Sequence, residues 1–107
     1  MLLVACNTSY EEAALLGTWK TVDWTVLDNG QKVSQKMDFV FNSDERYEVD
    51  YGSQKEVGRY WIAGTSLRTI EDGQSEKTVK IKKLTADSLV LEMNRAGSIE
   101  NVTLLKK

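Results

Sequence analysis

Beyond Gly17 the hydrophobic pattern of this chain has a period of two, and it keeps that period almost to its last residue. Apolar side chains at every second position sit on one face of an extended strand, whereas a helix needs recurrence near 3.6. Met37, Phe39 and Phe41 alternate with Lys36 and Asp38, and Tyr47, Val49 and Tyr51 with Arg46, Glu48 and Asp50. Further along, Val79 and Ile81 alternate with Lys80 and Lys82, and Leu89, Leu91 and Met93 with Ser88, Val90 and Glu92. Strands are predicted over 19–27, 36–41, 46–51, 56–62, 66–70, 78–84, 88–93 and 99–105. Turn signals such as Asp28-Asn29-Gly30, Gly52-Ser53, Asp72-Gly73 and Ala96-Gly97-Ser98 separate them. Connections this short join antiparallel neighbours, because a parallel crossover needs a dozen or more residues. Eight hairpin-linked strands hide their edges most economically by closing on themselves. The expected fold is therefore all-β: an eight-stranded antiparallel up-and-down barrel, apolar inside and charged outside.

Ahead of the strands, Ser9-Tyr10-Glu11-Glu12 reads as a capping box, with Glu12 reaching back to Ser9. Ala13-Ala14-Leu15-Leu16 continues it as a helix of one to two turns, which Gly17 ends. Two tryptophans break the alternation. Trp24 is five residues from Trp19, so a regular strand would set them on opposite faces. Either a bulge lies between them, or Trp24 faces outward beneath the helix. Trp61 is out of phase with Tyr60 and is expected on the outer face.

The totals exclude several functions. With 107 residues the chain makes one domain, and 41% hydrophobic with 28% charged residues suits a globule. Its net charge is −2 and it has no basic stripe, so nucleic acid is not an expected partner. It has no histidine, which removes His bases, His-dependent nucleophile systems and His-ligated zinc. A single cysteine excludes internal disulfides and Cys-rich metal sites. No cofactor or metal is expected. The carboxylates Asp38, Glu48 and Asp50 could converge on the outer face, yet they interleave with Lys36, Arg46 and Lys55 as in a cross-strand charge ladder. No catalytic residue is assigned, and an enzyme is not expected.

The inward set holds more interest. Phe39, Phe41, Tyr47, Tyr51, Tyr60, Leu89, Leu91 and Met93 are the candidate ligand-binding residues. A barrel of eight strands is either filled by its own side chains or holds one small ligand, and aromatic interiors suit both.

Residues 1–9 need separate treatment, since targeting segments are not fold. Leu3-Val4-Ala5-Cys6 resembles a bacterial lipobox, and polar Asn7-Thr8-Ser9 follows at once. Residues 1–5 then read as the remnant of a lipoprotein signal, 6–16 as tether and short helix, and 17–107 as the barrel. That resemblance implies acylation of Cys6, export, and a lipid anchor in the bacterial envelope, with the outer membrane as expected location.

Gly17-Thr18-Trp19 resembles the G-x-W that opens lipocalin-type barrels, and it too follows a short helix. Residues 83–92 and Gly58-Arg59-Tyr60-Trp61-Ile62 resemble segments of small bacterial lipocalin-like lipoproteins. The resemblance implies that the Trp19 indole plugs the barrel floor beneath a basic side chain from the last strands, for which Arg95 is the nearest candidate. It also implies a non-catalytic carrier of a small hydrophobic or amphipathic ligand; separately, a monomer is expected. Such a ligand would enter opposite Trp19, near the Asn29-Gly30 and Gly52-Ser53 loops. The alternative is a protein–protein interaction module, a barrel-type protease inhibitor or a surface-assembly subunit, working through its outer face around Trp24 and Trp61.

Overall fold

The computed structural model describes residues 10–107, so the lipobox, Cys6 and the Ser9 cap lie outside the described residues. Eight strands follow: β1 (Gly17–Val26), β2 (Asp38–Phe41), β3 (Arg46–Asp50), β4 (Lys55–Ala63), β5 (Ser66–Glu71), β6 (Glu76–Leu84), β7 (Ser88–Arg95) and β8 (Ser98–Lys106). Each pairs antiparallel with the next, and β1 pairs with β8 to close the barrel. The expected architecture is correct, and the strand ends differ by a few residues at most. No end differs by more than two residues, and β2 is the strand that is shortened by two, starting at Asp38 instead of Lys36. Side chains take over the ladder there: the Met37 N–H donates to the Thr21 hydroxyl at 2.8 Å, and the Asp38 carboxylate accepts the Thr21 N–H at 2.9 Å.

In place of the expected helix, Glu12–Leu15 forms a single 3-10 turn, with no side-chain cap at Glu11. Glu12 lies near the Ile62 N–H at 3.4 Å, so its carboxylate is turned toward the barrel wall. The segment is held by the barrel floor as well as by its own bonds, from the Ala14 N–H to the Glu11 carbonyl at 3.1 Å and from the Leu16 N–H to the Ala13 carbonyl at 3.3 Å. Leu15 is fully buried, and its carbonyl accepts the Trp19 indole N–H at 2.8 Å. Gly17 makes the sharp entry into β1 with φ +121°, a backbone region that residues with a side chain rarely adopt.

Trp24 is inside, and the bulge is the reason. The β1–β8 register shifts between Thr21 and Asp23, which adds one residue and restores Trp24 to the face of Trp19. Val22, the extra residue, is 56% exposed. The outward alternative for Trp24 is therefore overturned: it is only 4% exposed. Trp61 does lie on the outer side of β4, half-buried and opposite Arg68.

The closed half of the barrel is solid. Phe39 stacks on Phe41 at 5.1 Å between ring centroids, and Phe41 meets Tyr60 edge-on at 4.9 Å. Leu67, Leu89, Leu91, Val102 and Leu104 complete this core, all fully buried. The outer carboxylates are engaged by bases, as a charge ladder requires. Lys36 lies 3.7 Å from Asp38 and 3.5 Å from Asp50, bridging two acids that sit directly opposite each other. Lys55 pairs with Glu48 at 3.1 Å.

Candidate functional site

One interruption in the barrel wall opens onto a cavity. The β6–β7 ladder runs from Leu84↔Leu89 to Lys80↔Glu92 and stops there. Beyond it, the first residues of β6 pair only with β5, and the last residues of β7 pair only with β8. The two strands splay, and a cavity of about 530 Å³ fills the wedge and the adjoining mouth. Lys77, Thr78 and Val79 line one side and Met93, Asn94 and Arg95 the other. Trp24, Met37 and Tyr51 supply apolar surface, while Gln35, Ser53 and Gln54 add polar groups from neighbouring connections. Apolar and polar side chains share this lining about evenly, so the concavity suits a small molecule that has both an apolar and a polar part.

Two carboxylates are buried in the barrel beside this cavity. Glu56 accepts the hydroxyls of Tyr47 and Tyr51, the latter at 2.8 Å, and lies 3.4 Å from the Lys77 ammonium. Glu100 accepts the Trp24 indole N–H at 2.7 Å and is 3.2 Å from the Arg95 guanidinium. Arg95 also lies over the Trp24 ring, 5.4 Å from its centroid. These partners account for two acids in a barrel interior, because a buried carboxylate persists only when hydrogen-bonded and paired.

The same burial acts on the tyrosines. Loss of solvent, and then the hydrogen bond to Glu56, push the Tyr47 and Tyr51 hydroxyls well above the usual tyrosine range. Burial, with the nearby Glu12 charge second, raises Tyr60 as well. A folded pKa raised above the unfolded value near 10 gives stability that is intact below that pH and lost as pH rises through the folded values. The protein should therefore unfold on alkaline titration above about pH 10, with tyrosinate absorbance rising in step with the loss of β structure. Full tyrosine ionisation in a still-folded barrel would contradict this.

The eight candidate ligand residues divide. Tyr51 and Met93 line the cavity. Phe39, Phe41, Tyr47, Tyr60, Leu89 and Leu91 belong to the packed core, and the Tyr60 hydroxyl donates to the Asn42 carbonyl at 2.9 Å. The cation over the Trp19 floor is Lys106, 4.5 Å from the ring centroid; Arg95 covers Trp24 instead. Lys106 stands directly opposite Trp19 on the paired strand β8, whereas Arg95 comes from the hairpin at the other end. Of the two expected rim loops, Gly52-Ser53 contributes Ser53, while Gln35 lines the cavity in place of Asn29-Gly30. Asp38, Glu48 and Asp50 stay on the outer face, away from this cavity. The outer-face alternative has lost Trp24 and retains Trp61.

Among the described residues, no group of three or more acidic or Cys side chains is placed to hold a metal ion. No described helix is long and apolar enough to cross a membrane.

Two solved bacterial structures are similar in architecture. A lipocalin-like protein from Bacteroides uniformis ATCC 8492 superposes with a TM-score of 0.66 at 19% identity, over 88% of this chain and 99% of that one. An uncharacterized protein from Bacteroides eggerthii DSM 20697 gives 0.65 at 15% identity, over 87% and 99%. Identities this low speak to the fold alone. No curated protein matches the chain significantly. The lipocalin-like domain family matches residues 15–91, most of the barrel, and the chain belongs to that family.

Proposed function

We propose that this protein binds a small amphipathic molecule in the mouth of its barrel, without catalysis, while anchored to the bacterial envelope through acylated Cys6. The observation that carries the binding reading is the wedge cavity of about 530 Å³, set above a solid floor and lined on both walls by apolar and polar side chains together. A pocket of this size lies within the range that small ligands occupy. The anchor rests on Leu3-Val4-Ala5-Cys6 followed by a polar spacer; two or more acyl chains hold a domain at a membrane where one does not.

A hydrophobic fluorescent probe should bind the purified domain with a blue-shifted emission. Val79→Trp, which puts a large side chain into the cavity, should abolish that signal and leave the melting temperature nearly unchanged. Tyr60→Ala should do the reverse, lowering stability by about 3 kcal/mol or more as a core deletion. No probe signal at saturation, or equal binding by Val79→Trp, would sink the reading. In bacteria, Cys6→Ser should release the protein from the membrane fraction; retention there would remove the anchor.

A further inference from the structure

The charges around the wedge are distributed unevenly. Of the described residues that line the cavity, only Lys77 and Arg95 carry charge, and both are basic. This holds in a chain whose net charge is −2. Continuing the β6–β7 register past its last pair, Lys80↔Glu92, would set Lys77 opposite Arg95, one on each side of the gap.

Neither cation is used up by its partners, although Arg95 also lies over the Trp24 ring. Their side chains are 52% and 53% exposed, and each makes one long bond to its acid, 3.4 Å from Lys77 and 3.2 Å from Arg95. The short bonds to those acids come from neutral donors, Tyr51 at 2.8 Å on Glu56 and Trp24 at 2.7 Å on Glu100. An ammonium has three donors and a guanidinium five, so most of theirs remain unspent. If either base swung toward a ligand, its carboxylate would keep the tyrosine hydroxyls or the indole N–H and would not be left bare. The buried acids therefore position the two bases at the wedge without consuming them. Next to the bases, Trp24, Met37, Val79 and Met93 form an apolar surface suited to an aliphatic chain.

We infer that the ligand is an anionic amphiphile, with a carboxylate or phosphate headgroup between Lys77 and Arg95 and its aliphatic chain against Trp24, Met37, Val79 and Met93. This rests on the small-molecule reading above and adds the headgroup to it.

Calorimetric titration of the purified domain with decanoate, decyl phosphate, decanol and decylammonium, all below their micelle concentrations, tests it. At least one of the two anions should bind about tenfold or more tightly than decanol, the scale of a hydrogen bond to a charged group. The Lys77→Gln, Arg95→Gln double variant should bind both anions at the decanol level while its affinity for decanol stays unchanged, which shows that the fold and the apolar wall survive. Equal binding of anions and decanol by the unaltered domain would overturn the headgroup assignment and leave the pocket standing. Preference for decylammonium would overturn it too, by showing that the acids, not the bases, face the ligand. Failure of all four to bind would remove the small-molecule reading itself.

Discussion

Trp19→Ala should destabilise the barrel by about 3–5 kcal/mol, the range for deleting a buried tryptophan. The side chain is fully buried, its N–H ties the 3-10 turn to the floor through the Leu15 carbonyl, and Lys106 covers its ring. Removal opens a void against Leu15, orphans that carbonyl and uncouples the segment before β1. A domain of this size holds only about 5–15 kcal/mol in all, so the loss is a large share. Thermal denaturation followed by circular dichroism should register a fall of more than roughly 12 °C. A change below about 1 kcal/mol would mean that the floor is closed by something other than this indole.

Gly58→Ala should be comparably damaging for the opposite reason. A Cβ built at Gly58 would lie 2.0 Å from the Ile70 carbonyl oxygen and 2.8 Å from the Glu71 Cα. Both obstacles are backbone, so no side chain can rotate away. Overpacking ordinarily costs about 1–3 kcal/mol; here β4 and β5 would have to separate, and a loss above 3 kcal/mol is expected. Urea denaturation should show an earlier midpoint, or the variant should fail to accumulate folded. A midpoint within error of the parent would show that β4 and β5 do not approach so closely in solution.

The barrel was legible because a one-sided strand announces itself by alternation, and seven short turn-rich joints leave antiparallel pairing as the simple solution. The site was harder to read, although part of its signal was available. Counting back by twos from inward Tyr60 passes through Gly58 to Glu56, and from Leu104 through Val102 to Glu100. The parity placed both acids inside; habit assigns charges to the surface, and their partners come from distant strands. Arg95 follows inward Met93 by the same count. Trp24 could not be settled, because a bulge such as that at Val22 carries no residue signature of its own. Nor could the division between filled floor and open mouth, which depends on where β6 and β7 part, a property of twist and register and not of composition.

The parted seam has a further consequence. A barrel is prized for presenting no template to other chains, and an interruption in its ladder gives some of that protection back. Around the gap the chain sets lysine, arginine and asparagine, with no run of apolar residues. Such residues discourage a foreign strand from zipping in, so the side chains suited to greet a ligand also serve as gatekeepers against self-association.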